Sequence, residues 1–317
     1  MEREVVLELQ SVRTYFKVSG GILKAVNGVD LKLHRGETIG LVGESGCGKS
    51  TLGKTMMRLY KPDGGKVLLE GRDIWTYDKK EKKQFSRKVQ MIFQDPYACL
   101  DPLCVVSDII AEGMDVHKLY KGEAREKRIQ ELLAMVGLNP EHADRFPHEF
   151  SGGQRQRIGI ARALSMDPEV LICDVPISAL DVSIQAQVVN LLKKLQQELG
   201  LAYLFITHDL SMVRQISDRI AVMYLGSLVE VADSEDIYTK NYHPYTRALL
   251  SAIPIADPEV ERDRKRILLK GDVPSPVNLP KGCAFCGRCP NATDRCREER
   301  PELREIEPGH QVACHLA

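Results

Sequence analysis

The sequence lacks an excess of either charge, a long apolar run and an apolar N-terminal segment. Lys plus Arg and Asp plus Glu each number 44, so the formal net charge is zero. Nucleic-acid-binding proteins usually carry a basic field, so no nucleic-acid partner is expected. No apolar run approaches the roughly 18 residues that span a bilayer, and residues 1–4 begin no signal-peptide core. We therefore expect a soluble, cytoplasmic chain that reaches a membrane only through a partner.

The most specific pattern in the chain is a glycine-rich phosphate-binding loop. The loop consists of Gly43, Glu44, Ser45, Gly46, Cys47, Gly48, Lys49, Ser50 and Thr51. A buried strand is predicted before it, over 38–42, and a helix after it, over 51–59, which is the context such a loop requires. Its backbone N–H groups and the helix N-terminus would bind phosphate oxygens, Lys49 would reach the β- and γ-phosphates, and Ser50 would offer a hydroxyl to Mg²⁺. We expect a nucleotide site here rather than a glycine-rich turn that binds nothing.

Two further motifs narrow the class of protein. One is Ser151-Gly152-Gly153-Gln154, and the other is an apolar strand over 170–174 that ends in Asp174. A carboxylate at the end of a strand near a phosphate loop can hold Mg²⁺ through water. Together with the loop, these motifs resemble those of the ATP-binding-cassette (ABC) ATPases, in the same order along residues 5–250.

The resemblance implies an α/β fold, in which a P-loop ATPase domain combines a mostly parallel sheet, an antiparallel β subdomain and a helical subdomain. We place the nucleotide-binding domain at residues 1–253, with its helical subdomain at about 95–165, and a small cysteine-rich extension at 254–317. Apolar residues recur at helical spacing over 124–136 and 182–199, which predicts an amphipathic helix in each range.

The resemblance also implies roles for single residues around ATP. The catalytic residues would be Gln94, at the end of a predicted strand, and His208. Tyr15 would stack on adenine, although the adjacent Phe16 is an alternative. The ligands of Mg²⁺ would be Ser50, Gln94 and Asp174.

The Ser151–Gln154 motif would serve a different ATP molecule from the one on this chain's own loop. In the ABC ATPases two cassettes pack head to tail, and the signature formed here by Ser151, Gly152, Gly153 and Gln154 closes on the partner's ATP. Asp181 would belong to the loop between the two sites. The resemblance therefore implies a dimer of cassettes, of which this chain supplies one.

Val175 departs from the family pattern. ABC ATPases read Asp-Glu-Pro after the second strand motif, whereas this chain reads Asp174-Val175-Pro176. The missing glutamate is the family's general base, and such a base typically contributes about 10²–10⁴-fold to a rate. We expect the site to bind Mg-ATP and hydrolyse it slowly, unless Asp181 or Asp209 acts as the base instead.

Three stretches, at 93–98, 180–187 and 242–250, resemble the ATPases of oligopeptide and dipeptide permeases, and most of all their F-type subunit. This resemblance implies a second and different ABC ATPase subunit, two membrane permease subunits and an extracytoplasmic peptide-binding protein, with this chain at the cytoplasmic face of the membrane. Alternatives are the ATPase of a nickel or sugar importer of the same family and a soluble ABC protein unconnected with transport.

The end of the chain is rich in cysteine and poor in apolar periodicity. We therefore expect it to need a cross-link, such as a bound metal, in order to fold. Thiolates gathered in such a segment suit a 4Fe-4S cluster or a structural zinc ion. By resemblance the ligands would be Cys283, Cys289, Cys296 and Cys314, with Cys286 in an alternative set.

Overall fold

A computed structural model of the chain describes residues 4–95, 97–174, 182–254, 266–269, 271 and 273–317. These residues form two compact units. The first comprises the described parts of Met1–Val6, Leu33–Glu37 and Asp73–Phe205; the second comprises those of Leu7–Lys32, Thr38–Arg72 and Ile206–Ala317.

The described residues alternate strands and helices, as expected for an α/β protein. The strands are β1 Val5–Val18, β2 Gly21–His34, β3 Thr38–Val42, β4 Gly64–Leu69, β5 Arg72–Asp73, β6 Val89–Ile92, β7 Val170–Asp174, β8 Ala202–Ile206, β9 Arg219–Tyr224, β10 Ser227–Asp233, β11 Arg304–Glu307 and β12 His310–Val312. The α-helices are α1 Lys49–Met56, α2 Lys79–Lys88, α3 Val106–His117, α4 Glu123–Met135, α5 Gly152–Leu164, α6 Val182–Leu199, α7 Leu210–Ile216, α8 Ser234–Thr239, α9 Pro244–Ser251 and α10 Asp294–Glu298.

The second unit contains two sets of strands. In the first set, β3 and β9 pair in parallel, β10 continues antiparallel to β9, and the hairpin β11–β12 follows in the order β11-β12-β10-β9-β3. In the second set, β1 lies between β2 and β4 and pairs antiparallel with β4, with Leu7 opposite Leu69. All five residues of β3 are buried, as is usual for a parallel strand that is covered on both faces.

The first unit holds parallel strands and helices α2 to α6. Strands β6 and β7 pair in parallel, and every residue of β7 and β8 is buried. Helix α3 packs against α4 and α5, which confirms helices in the region predicted to be a helical insertion. The predicted apolar stripe of α4, formed by Ile129, Leu132, Leu133 and Val136, is buried.

Two antiparallel strands lie outside the sequence-based predictions given above. Strand β1 extends from Val5 to Val18, and its register shifts between Gln10 and Arg13, where Ser11 has a φ of 47°. Strand β2 was not predicted, because polar residues such as Asp30 and Lys32 alternate with buried ones along it. Such alternation is typical of an antiparallel strand with one exposed face.

Packing and strand pairing attach the cysteine-rich extension to the rest of the second unit. Strand β12 pairs with β10, with Glu230 opposite Val312. Phe285 is 1% exposed, and its ring centroid lies 5.3 Å from that of Tyr224 and 5.4 Å from that of Tyr245. One buried aromatic ring and one strand pairing therefore attach the extension to the core of the second unit.

Among the described residues, no helix is both long enough and apolar enough to cross a membrane.

Candidate nucleotide site

The phosphate loop has the backbone that its glycines predict. Gly43, Gly46 and Gly48 have φ angles of 151°, 77° and 107°, a region that side chains disfavour. A Cβ atom on Gly43 would lie 2.2 Å from the Met223 carbonyl oxygen, and one on Gly48 would lie 2.0 Å from that of Ala25. Only glycine fits these two positions, so the path of the loop is fixed by its neighbours in the second unit.

Helix α1 begins at the end of this loop and is open to an anion. Its N-cap is Gly48, which makes no side-chain cap hydrogen bond, and its first turn contains no acidic residue. The first N–H groups of a helix have no partner within the helix and carry partial positive charge, so they can bind phosphate oxygens. The Lys49 ammonium group donates hydrogen bonds to the carbonyl oxygens of Gly43 (2.7 Å) and Glu44 (2.9 Å), which places its charge over the loop. The loop therefore fits the triphosphate of ATP, which would supply the phosphoryl group to be transferred to water.

A residue outside the motif also binds the loop. The Tyr245 hydroxyl accepts a hydrogen bond from the Glu44 N–H group at 2.9 Å, and the Tyr245 side chain is fully buried. This tyrosine lies in the stretch 242–250 that resembles the peptide permeases, and the resemblance implies no role for it. A tyrosine 201 residues from its partner has no local signal that could have identified the contact.

His243 stabilises the start of α9, the helix that carries Tyr245. Its Nδ1 atom accepts a hydrogen bond from the Tyr245 N–H group at 3.1 Å, so the ring is neutral with its proton on Nε2. Burial lowers the pKa of His243 from its usual 6.5 to about 3.

This pKa predicts an acid-dependent loss of stability. Between pH 6.5 and 3 the unfolded chain binds a proton at His243 that the folded chain does not. The contribution to stability is therefore complete above pH 6.5 and falls, as the pH is lowered through that window, by up to about 1.4 kcal/mol per pH unit. His243→Asn, which keeps a side-chain acceptor for the cap, should remove this part of the slope in urea unfolding measured from pH 7 to 4. An unchanged slope would show that His243 is not the titrating group.

Tyr15 and Phe16, the two candidates for adenine stacking, lie in different surroundings. The Tyr15 hydroxyl donates to the Asn27 side-chain oxygen at 2.8 Å, whereas the Phe16 ring packs edge-on against Tyr60 with 5.2 Å between centroids. Both side chains are partly exposed. Tyr15 therefore has its hydroxyl held in place while its side chain stays partly exposed, and it remains the predicted adenine contact.

His208 follows β8 and is exposed. Its neighbour Thr207 donates a backbone hydrogen bond to the Leu41 carbonyl oxygen of β3 at 3.2 Å, so His208 lies at the strand edge from which the phosphate loop begins. The adjacent Asp209 caps α7, where its carboxylate accepts from the N–H groups of Ser211 (2.8 Å) and Met212 (3.4 Å). Because this carboxylate is engaged as a cap, Asp209 is a poor candidate for a general base.

Gln94 and Asp174 both belong to the first unit. Asp174 is the last residue of β7 and is 7% exposed, whereas Gln94 lies two residues beyond the end of β6 and is exposed. The segment after Gln94 contacts α5, since the Arg155 guanidinium lies 4.1 Å from the ring centroid of Tyr97. The segment of Gln94 is thus connected to the helix that carries the Ser151 signature.

The signature residues form the N-terminus of α5. The Ser151 hydroxyl accepts from the Gln154 N–H group (3.4 Å), while the Gln154 side-chain oxygen accepts from the Ser151 N–H group (2.9 Å). This reciprocal capping box explains the presence of serine and glutamine at these positions. A Cβ atom on Gly153 would lie 2.6 Å from Ile184, so glycine allows α5 to pack closely on α6. Gly152 is the first residue of the helix and is half-buried.

Val175 and Asp181 lie outside the described residues. Two assignments therefore remain predictions: Val175 as the position of a missing base, and Asp181 as part of the loop between two sites.

The extension's cysteines do not fit the predicted cluster. Among the described residues, which include all five of these cysteines, no three or more His, Cys, Asp or Glu side chains are grouped to hold a metal ion. Burial raises the pKa of the Cys283 thiol to about 11, which favours the neutral thiol over the thiolate that a metal requires. The Cys314 sulfur instead accepts from the Leu316 N–H group, and Cys296 lies 3.3 Å from the Thr293 hydroxyl. The 4Fe-4S or zinc assignment to Cys283, Cys289, Cys296 and Cys314, or to a set with Cys286, is not supported by this arrangement.

The families and relatives that this chain matches include transporters and ATP-binding proteins, in agreement with a nucleotide site. Residues 26–178 match the ABC transporter family, and residues 229–296 match the oligopeptide/dipeptide transporter C-terminal region. YkfD of Bacillus subtilis (strain 168) is 58% identical over 318 residues, covering 100% of this chain and 97% of its own length. The oligopeptide transport ATP-binding protein OppF of the same organism is 55% identical over 313 residues, covering 98% and 96%.

A solved structure supports the fold. The ATP-binding cassette MJ0796, a dimer in a post-hydrolysis state with ADP and phosphate, is 31% identical to this chain with a TM-score of 0.65, covering 72% of this chain and 98% of its own. Sequence motifs, local geometry and these similarities agree, and the chain belongs to the ABC transporter ATP-binding proteins, in the oligopeptide/dipeptide transporter family.

Proposed function

We propose that this ABC ATPase is the ATP-binding subunit of an importer of dipeptides and oligopeptides. The main support is that residues 229–296 match the C-terminal region of oligopeptide/dipeptide transporters. The phosphate loop of the same chain fits ATP. Its partners would be two membrane permease subunits and an extracytoplasmic peptide-binding protein, and it would lie at the cytoplasmic face of the membrane. Residues 1–253 would be the nucleotide-binding domain and residues 254–317 the extension.

The substrate class is tested by transport into proteoliposomes that contain the purified complex. Uptake of a labelled dipeptide or pentapeptide, dependent on internal ATP, is the expected result. Lys49→Ala serves as the matched control, because it removes the ammonium group from the loop and should abolish uptake. Transport of nickel or a sugar with no uptake of peptide would overturn the proposed substrate class.

Within the complex, ATP would bind between two cassettes. The dimeric state of the cassette MJ0796 and the exposed Ser151 at the start of α5 support this arrangement. Val175 offers no carboxylate, so the site on this chain's own loop would hydrolyse slowly, and a different partner subunit would form the competent site with Ser151–Gln154. This division favours a heterodimer in which our chain is the F-type subunit, in line with the name of its relative OppF.

Ser151→Arg tests this exchange between subunits. The substitution should stop peptide transport, because the bulky cation would occupy the surface facing the partner's ATP, while ATP binding by the isolated chain stays normal. Ser165→Ala at the end of the same helix, where the hydroxyl is buried, is a suitable control for damage to α5. An equal loss of ATP affinity in the isolated Ser151→Arg chain would contradict the proposed head-to-tail pairing.

A further inference from the structure

The cysteine-rich extension contacts the phosphate loop directly. Arg288 binds Glu44 through two parallel hydrogen bonds, from Nη1 to Oε2 at 2.8 Å and from Nη2 to Oε1 at 3.0 Å. The two side chains are 9% and 27% exposed, so the ion pair is largely shielded from water. A bidentate guanidinium–carboxylate pair of this kind fixes geometry as well as charge.

Each polar group of Glu44 is held by a different residue. The N–H group donates to the Tyr245 hydroxyl, the carbonyl oxygen accepts from the Lys49 ammonium group, and the carboxylate binds Arg288. Phe285, three residues before Arg288, packs against Tyr245, so the extension supports two of these three contacts. The second residue of the phosphate loop is therefore held by the extension and by the helix that the extension packs against.

The extension borders the loop along a second stretch. Residues 273–276 line a cavity of about 210 Å³ together with Glu44, Ser45, Gly46 and Cys47 of the loop. The Pro276 carbonyl oxygen also accepts a backbone hydrogen bond from Lys24 at 3.2 Å. The extension therefore borders the loop at residues 273–276 as well as at Arg288.

Charge explains why an arginine is needed at this position. Glu44 places a carboxylate within a loop whose purpose is to bind a triphosphate, and an uncompensated negative charge there would repel the ligand. Arg288 neutralises this carboxylate and keeps it turned towards the extension. Without Arg288 the carboxylate would be left partly buried and unpaired, which disfavours the observed loop conformation.

We propose that Arg288 of the C-terminal extension is a positioning residue for the phosphate loop and, through Glu44, sets the affinity of the chain for the phosphates of ATP. The proposal concerns nucleotide binding and does not depend on which substrate the transporter carries.

The test measures the dissociation constants of two ligands for the full chain: the Mg²⁺ complex of the non-hydrolysable analogue AMP-PNP, and AMP, which lacks the β- and γ-phosphates. Arg288→Ala should weaken AMP-PNP binding by about tenfold, the order expected when a charged hydrogen-bonding partner is lost, and leave AMP binding within about twofold. Arg288→Lys keeps the charge but loses the bidentate geometry, so it should have an intermediate affinity. Arg295→Ala, which removes an exposed ion pair with Glu299 in the same extension, should bind both ligands as the unmodified chain does.

The double variant Glu44→Gln/Arg288→Ala separates charge from general damage. Removing the unpaired carboxylate should recover most of the lost AMP-PNP affinity, whereas a structural defect in the extension would persist. If Arg288→Ala does not fold, the AMP-PNP affinities of Arg288→Lys and Glu44→Gln are compared instead. The first variant keeps the charge but loses the bidentate geometry, and the second removes the carboxylate. Unchanged AMP-PNP affinity in folded Arg288→Ala, equal losses for AMP and AMP-PNP, or a double variant as weak as the single one would each overturn the proposal.

Discussion

Val175→Glu is expected to raise ATP hydrolysis by at least about tenfold, the low side of typical general-base contributions. The substitution restores a carboxylate directly after Asp174, at the position where ABC ATPases carry the base that activates water. The substitution leaves unchanged both Asp174, which is buried at the end of β7, and the phosphate loop. The measurement is phosphate release by the purified chain with and without its partner subunit.

The matched control is Val175→Gln, which has a similar size to glutamate but cannot accept a proton. It should stay at the rate of the unmodified chain, and Val175→Glu/Lys49→Ala should lose the gain because the phosphates are no longer held. Rapid hydrolysis by the unmodified chain alone, abolished by Lys49→Ala, would show that another residue is the base.

Phe285→Ala is expected to lower the free energy of unfolding by about 3–5 kcal/mol, the range for truncating a buried aromatic side chain. Phe285 is 1% exposed and contacts Tyr224, Tyr245 and His243, so its removal leaves a cavity where the extension meets the core. Urea unfolding followed by circular dichroism measures the loss, and limited proteolysis should show cleavage beyond residue 280 at lower protease concentrations.

Leu316→Ala is the control for this substitution, since Leu316 belongs to the same extension and is 53% exposed. It should change the urea midpoint little. If Phe285→Ala and Leu316→Ala shift the midpoint equally, the aromatic ring is not what attaches the extension.

The parts of the fold and site that the sequence predicts are those governed by local chemistry. The strand, the glycine loop and the helix around Lys49 are adjacent in the chain, and glycine readily adopts the positive φ angles found at Gly43, Gly46 and Gly48, so they could be placed from one continuous stretch of sequence. Helix α6 begins at Val182 and ends at Leu199, as its apolar periodicity predicts. Asp174 was also located correctly at the end of a strand, because a short apolar run defines where that strand stops.

The rest depends on contacts that local patterns do not encode. Arg288 and Glu44 are separated by 244 residues, and nothing in the spacing of either one identifies the other. The same is true of Tyr245, whose hydroxyl could have bonded to water as readily as to the loop. The density of cysteines predicts a metal site that the described residues do not support, whereas composition does not predict the burial of Phe285 or the pairing of β12 with β10.

The pairing of β12 with β10 has a consequence for any shortened form of this protein. In the full chain, the hairpin β11–β12 covers the backbone N–H and C=O groups along one side of β10. A cassette ended near residue 253 would expose those groups, on a strand whose residues from Leu228 to Ala232 are all buried in the intact protein. An uncovered apolar edge strand is a template for pairing with another chain. Such a fragment is therefore expected to associate into oligomers or aggregates, even though it keeps every nucleotide-binding motif.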